Sequence, residues 1–431
     1  MPTTHFIRAI GLLCALVVQS LPLGAQTSHA ADTLVLSLAE ARRAAAEANP
    51  ELLAASWRTV AARGDVRTAG ALPFNPVAVF EARSPSDGLA SRYEAEVGLE
   101  IEVAGQRGLR AGASRAYVEA ETNRFRDEAR GVLATVERAY HHLAAAEQRL
   151  ALAHQVDSLT ARLGSAVSVQ LAEGEVSRME ANLVGIEAAR ARARAVETLT
   201  SRTAAESELG RLLGLDASVP LRTICVLRPG GAWPPPPPLE AAVEAALGGR
   251  PDLRALNHAA EGARGEARLA RRQTLPNLRV AALSTREDPA TDPRFGVSLG
   301  LELPLFNRNQ GLVDRRDAEL AEVEGARRAV ELRVQAEVES ALNAYAASLR
   351  EVEILEQEML APIRQNQELL EIAFREGKID LASLLLLRNQ LLDAELGYWA
   401  AWERMAIARS ELAAATGEIL DGVDFVEGGG R

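Results

Sequence analysis

The stretch "YEAEVGLEIEV", Tyr93 to Val103, decides how this chain is read. Glu94, Glu96, Glu100 and Glu102 fall at every second position with Gly98 between them, while Ala95, Val97, Leu99, Ile101 and Val103 fill the gaps. A period of two puts the carboxylates on one face of a strand and the aliphatic side chains on the other. Further on, "FGVSLGLEL" repeats the design: Phe295, Val297, Leu299, Leu301 and Leu303 alternate with Gly296, Ser298, Gly300 and Glu302. Taken alone, either stretch reads equally as an antiparallel strand with one solvated face or as a strand with one face in lipid.

The repetition extends well beyond the strands. "LAEARRAAAEANPELLAA" from Leu38 matches "LEAAVEAALGGRPDLRAL" from Leu239, "LPFNPVAVF" from Leu72 matches "TLPNLRVAAL" from Thr274, and "AEGEVSRMEANL" from Ala172 matches "REGKIDLASLLL" from Arg375. The chain therefore divides into a signal over 1–30, a first repeat over 31–216, a proline-rich linker over 217–238, a second repeat over 239–418 and a tail over 419–431. Pro234 to Pro238 make that linker an extended spacer.

Each repeat reads in the same order. A helix of about 35 residues ends at a proline corner, "PFNP" or "LPN". Two strands follow, Val77 to Ala82 with Arg92 to Val103, and Leu278 to Ser284 with Phe295 to Leu303. A long helical stretch comes next, Leu109 to Ala172 or Gly311 to Arg375, then a glycine break and a last helix of about 35–40 residues. Gly174 and Gly377 mark the breaks, and Ser177 and Asp380 are suited to cap the helices that follow. Ser177 and Glu180 have the spacing of a capping box.

The first thirty residues hold Arg8, an apolar run from Ala9 to Val18, and Ser28 and Ala30 placed as a small-residue cleavage signal, which together read as an export signal. An N-terminal anchor is the other reading, but the run is about half of what a spanning helix needs. Cys14 lies inside this run and Cys225 is the other cysteine, so export would leave no internal disulfide. The net charge of −11 disfavours nucleic acid as a partner. Beyond the signal no apolar run reaches about eighteen residues, so a membrane span has to be built from strands. Two such strands per repeat make four per chain, too few to close a barrel. Open strand edges are forbidden in lipid, so several chains must share one barrel.

Order and spacing along the chain resemble the outer membrane factor family, the TolC-like efflux channels, and within it the CzcC/CusC-like branch. The resemblance rests on the doubled unit, "RPDLRAL", "LPNLRV", "VSLGLELPLFNRNQG" and the C-terminal run from "EGKIDLASLLLLRNQ" to "ELAAATG". It implies a mainly α fold with a transmembrane β-barrel: a homotrimer whose chains give four strands each to a shared barrel of twelve, continued by an α-helical tunnel. It also implies a location in the outer membrane reaching into the periplasm. The implied partners are a periplasmic adaptor, an inner-membrane transporter of the RND type and outer-membrane lipid. The implied role is a passive export duct of a tripartite pump, with cations, heavy metals or small toxic compounds as cargo. A periplasmic adaptor and a structural coiled-coil protein are the alternatives, and neither explains two sets of lipid-type strands.

On this reading Glu94, Glu96, Glu100, Glu102 and Glu302 line the lumen. Val97, Leu99, Ile101, Val103, Val297, Leu299, Leu301 and Leu303 face lipid, with Phe80, Tyr93, Phe295 and Phe306 as an aromatic girdle. In the resembled family the Gly-plus-aliphatic turns meet the adaptor, which assigns docking to Gly174, Val176, Gly377 and Ile379. No cofactor is expected. Glu137 and His141 sit four apart on a helix but supply two ligands where zinc wants three or four, so they read as a solvated helix face. "GQRGLRAG" from Gly105 lacks the spacing of a phosphate loop, and no nucleophile cluster points to an enzyme. Tyr398, Trp399 and Trp402 read as packing residues between helix layers.

Overall fold

The computed structural model describes residues 33–83, 92–224, 233–287 and 292–425. The signal read at 1–30, Cys225 and the end of the tail lie outside them. The first repeat runs β1 (Leu34–Leu36), α1 (Leu38–Ala48), α2 (Pro50–Gly70), β2 (Val77–Arg83), β3 (Arg92–Ile101), α3 (Gln106–Glu173) and α4 (Arg178–Leu212), and the stretch 217–238 read as an extended linker holds a further strand, β4 (Leu221–Thr223). The second runs α5 (Leu239–Gly249), α6 (Pro251–Arg272), β5 (Leu278–Arg286), β6 (Arg294–Leu301), α7 (Gln310–Leu355), a π-helical turn (Glu356–Leu360), α8 (Ala361–Arg375) and α9 (Leu381–Thr416).

The single opening helix expected in each repeat is two helices. The chain breaks at Asn49 (φ −63°, ψ 124°) and at Arg250 (φ −66°, ψ 130°), each directly before a proline that starts the next helix. Proline clashes with a helical residue in front of it but suits the first helical position, so both breaks follow from Asn49-Pro50 and Arg250-Pro251. The two breaks are tied down by different chemistry. Asn49 donates through Nδ2 to the Leu212 carbonyl at the end of α4 (2.8 Å) and accepts from the Glu51 and Leu52 amides. Arg250, 1% exposed, reaches the Ala415 carbonyl near the end of α9 (3.3 Å) and binds Asp252 (2.7 Å) and Glu337 (2.6 Å). In both repeats the hinge thus satisfies a carbonyl left over at the end of that repeat's last helix.

At 1.5 Å per residue the 68 residues of α3 extend about 100 Å. Its first half lies against α2 and α6, and its second against α4 and α9. The matching stretch of the second repeat is continuous but carries the π turn just before Pro362. Pro362 has no N–H to give to the Glu358 carbonyl, and its ring crowds that oxygen; one wide turn relieves both.

Also unanticipated is a parallel pairing of β1 with β4, Leu34 opposite Leu221, at the waist of the molecule. It covers a core of Leu133, Val136, Tyr140, Leu143, Leu209 and Leu213. Next to it Tyr345, Tyr398, Trp402 and Met405 form a second core. The end of the proline spacer is pinned there: Tyr345 donates to the Pro234 carbonyl (2.6 Å), and the Trp233 ring sits 6.0 Å from Trp402. Tyr398, Trp399 and Trp402 therefore pack helix layers, as expected.

Candidate conduit and docking tips

The strands form one antiparallel sheet in the order β2-β3-β5-β6. Its register fixes which side chains share a face. Glu94 lies opposite Glu81 and Thr285, Glu96 opposite Val79 and Leu283, and Glu100 opposite Arg279. Gly296, Ser298 and Gly300 complete this polar face on β6, with Arg294 at its far end. The other face joins Phe80, Tyr93, Ala95, Val97, Leu99 and Ile101 to Val280, Ala282 and the β6 residues Phe295, Val297, Leu299 and Leu301. It is strongly exposed: Phe295 82%, Val297 74%, Phe80 72% and Leu299 71%. A contiguous apolar surface of this kind needs a cover, and strands of seven to ten residues have about the length to cross a bilayer on a tilt. Among the described residues no helix is long and apolar enough to do so.

Two features of the expected lumen change in the structure. Both final strands end two residues earlier than read, at Ile101 and Leu301, so Glu102, Val103, Glu302 and Leu303 stand on the exits from the sheet. Glu102 is not an open carboxylate: Arg110, one turn into α3, holds both its oxygens (2.8 and 3.1 Å), and its side chain is 8% exposed. The polar face is also not purely acidic. Arg279 donates to Glu96 (3.3 Å), Asn277 donates to Glu100 (2.7 Å), and Arg83, Arg92 and Arg294 share the face near the far loops. Among the described strand residues it carries Glu81, Glu94, Glu96 and Glu100 against four arginines. The register that brings in Arg279 and Arg294 is a long-range pairing, and no local pattern marks it.

At the exits the repeats use one device twice. Gly105 (φ 75°) and Asn309 (φ 54°) take left-handed backbone, and the glutamine that follows turns its side-chain oxygen back to an amide, Gln106 to Ala104 and Gln310 to Arg308. Gly105 thus serves the strand-to-helix junction.

The opposite ends are helical hairpin tips. Gly174 (φ 78°) and Gly377 (φ 70°) occupy the left-handed region that ordinary residues avoid. Ser177 and Glu180 close a full capping box, and Asp380 accepts from the Ser383 amide (2.8 Å). Val176 and Ile379 do not stand free as the sequence implied. Both are half-buried in a cluster where Val167 and Val184 of one hairpin meet Phe374, Leu381, Leu384 and Leu385 of the other. The two tips of a chain are packed together, leaving Gly174, Gly377 and Lys378 exposed, with Met179 at 78%.

Glu137 and His141 are both buried among the helices. Glu137 is buried and pairs with Arg42 (3.5 Å) rather than lying on a solvated face. His141 sits against the rings of Tyr140 and Trp402, and burial pushes its pKa down to about 4. Among the described residues no three His, Cys, Asp or Glu side chains gather as a metal site.

Residues 242–418 match the family model described as outer membrane efflux protein. The fold is shared with solved outer-membrane channels over nearly the whole chain. With CmeC of Campylobacter jejuni the TM-score is 0.75 at 15% identity, over 91% of this chain and 87% of that one. With the open state of MtrE of Neisseria gonorrhoeae it is 0.72 at 18% identity, over 88% of each chain. The second repeat thus matches the outer membrane efflux protein family, and the chain has the fold of the TolC-like channels. The efflux fold extends equally to CusC, with a TM-score of 0.73 at 16% identity over 88% of this chain and 91% of that one, so fold similarity does not single out the CusC-like branch. No curated protein sequence matches this chain. The family match and the fold shared with outer-membrane channels fit a place in the outer membrane with a reach into the periplasm.

Proposed function

We propose that three copies of this efflux protein close one barrel and one tunnel, making the passive outer-membrane duct of a tripartite pump. The observation that carries this is the four-stranded sheet with an apolar exposed face and an edge strand at each side, β2 and β6. β2 and β5 run away from the helices while β3 and β6 return, so β6 of one copy meets β2 of the next antiparallel. Every seam of a closed ring is then of one kind. A sheet edge in lipid would leave amides and carbonyls unsatisfied at several kcal/mol each, so closure is obligatory. Neither a periplasmic adaptor nor a structural coiled coil accounts for this apolar sheet face.

The lumen is assigned to the polar face, with Glu94, Glu96 and Glu100 on the wall and Glu302 at its exit. Because Arg279 and the outer arginines share that wall, it presents both signs and favours an unselective duct. Choice of cargo, whether cations, heavy metals or other toxic compounds, then falls to an inner-membrane transporter of the RND type. To test assembly, one cysteine is placed on β2 and one on β6 of a Cys225→Ser chain. Oxidation in outer membranes should give a ladder that stops at three. A ladder running past three, or none at all, would overturn the trimer.

Adaptor docking is assigned to the tips, six per trimer. Gly174 and Gly377 form the bare surface, and Val176 and Ile379 set its shape from below. Gly377→Val should strain the left-handed turn, while the trimer, about 100 Å away along the helix, still inserts. Cross-linking to the adaptor and efflux should both fall at least several-fold. Wild-type cross-linking in this variant would move the contact to the helix flanks.

A further inference from the structure

Between the waist and the tips, α3 and α9 are laced by polar pairs: Arg138 with Glu411, and both His142 and Arg149 with Glu403. Past Arg149 the seam opens. A cavity of about 580 Å3 lies there between α3, α8 and α9, within the range of small-molecule pockets. A smaller one of about 270 Å3 adjoins it between α3, α4 and α9. The tip cluster bounds the space below, and α8, which follows the π turn and Pro362, forms its outer wall. Leu152, Leu159, Leu370, Phe374, Leu391 and Leu392 make most of the lining apolar.

Arg388 of α9 stands between the two cavities and lines both. Its side chain is half-buried, and among the described residues it has no ion pair or hydrogen bond. Glu371 attracts it from α8 and Arg162 repels it from α3, while burial works against its charge. Glu395, the other carboxylate of the lining, is bonded to Gln367 (3.4 Å), and burial raises its pKa. With Arg162, Arg375 and Arg388 set against Glu371 and Glu395, the cavity is short of negative charge. A half-buried guanidinium without a partner is costly, and an anion would relieve it. A neighbouring helix is about 10–12 Å across, so this volume admits little more than one turn of it. A short aliphatic chain fits.

We propose that this cavity binds an amphiphile with a single anionic head, its aliphatic body along the leucine wall and its head on the guanidiniums of Arg388 and Arg162. Either an exported compound or a fatty acid from the cell envelope has this chemistry. The test uses the full chain in nanodiscs of zwitterionic lipid, with labelled laurate followed by equilibrium dialysis. Saturable binding is expected, weakened about tenfold or more in Arg388→Gln, since a charged hydrogen bond is lost. Leu392→Trp should fill the space and abolish binding, and dodecyltrimethylammonium should not compete. Native mass measurement separates the sources: a fatty acid already on the purified protein marks a resident lipid, and an empty site that laurate fills marks a passing compound. Absence of saturable binding, or equal binding in wild type and both variants, overturns the site. Binding is read without transport, so such a failure leaves the channel assignment untouched.

Discussion

Leu299→Arg should fold its helices normally yet fail to enter the outer membrane. Leu299 sits in the middle of β6 on the apolar face, 71% exposed and opposite Val280. An arginine at the bilayer midplane of a strand costs about 2–4 kcal/mol, and a trimer incurs that cost three times. Protein resistant to carbonate extraction, and the heat-modifiable band on gels, should drop to a small fraction of wild type, while helical circular dichroism of the extracted chain is kept. Ser298→Lys is the control, because Ser298 is the next residue on β6 and lies on the polar face. It should insert. Insertion of Leu299→Arg alongside failure of Ser298→Lys would mean that the two faces are exchanged.

The second large effect is expected at the hinge between α5 and α6. Arg250→Ala removes a side chain that is 1% exposed and leaves the Ala415 carbonyl and the buried side of Asp252 without it, with Arg333 (3.8 Å) as another cation near Asp252. Breaking a buried pair from one side costs about 3–5 kcal/mol. Asn49→Ala, at the same place in the first repeat, removes a neutral cap and should cost about 1–2 kcal/mol. Thermal unfolding of the detergent-extracted protein, followed by helical signal, should rank Arg250→Ala well below Asn49→Ala. The reverse order would show that the hinge pair is not the tie between α6 and α9. The pair also sets a pH response. Burial works against the Asp252 carboxylate, but hydrogen bonds and attraction from Arg250 outweigh it and hold its pKa below the usual value. Its stabilisation is complete above the ordinary carboxylate pKa of about 3.9 and is lost as pH falls through the lower folded value.

Features that depend on neighbours in sequence were legible. Alternation at Tyr93 to Val103 and Phe295 to Leu303 located both strands to within two residues, and Gly174-x-x-Ser177 and Gly377-x-x-Asp380 located the tips with their caps. Asn49-Pro50 and Arg250-Pro251 announce the helix breaks, yet the apolar pattern runs through both and reads as one helix. The rest depends on distant partners. β1 and β4 are three residues each and owe their form to one another across the whole first repeat. Arg279 reaches Glu96 only through the β3–β5 register, Glu102 is claimed by a helix residue, and Val176 and Ile379 are covered because the second tip packs on the first.

The sheet order also governs how the duct is made. Each chain already joins its two hairpins along β3 and β5, so the proposed ring of three would leave only the β6-to-β2 seams to form between chains. One chain bares two edges in lipid; so do two chains joined. Only the third removes both at once. On the proposed trimer, partial rings would gain little from entering the bilayer, so ring closure and membrane entry should be coupled and the yield should rise more steeply than linearly with the supply of chains. A cell that halves the synthesis of this protein should then lose more than half of its ducts.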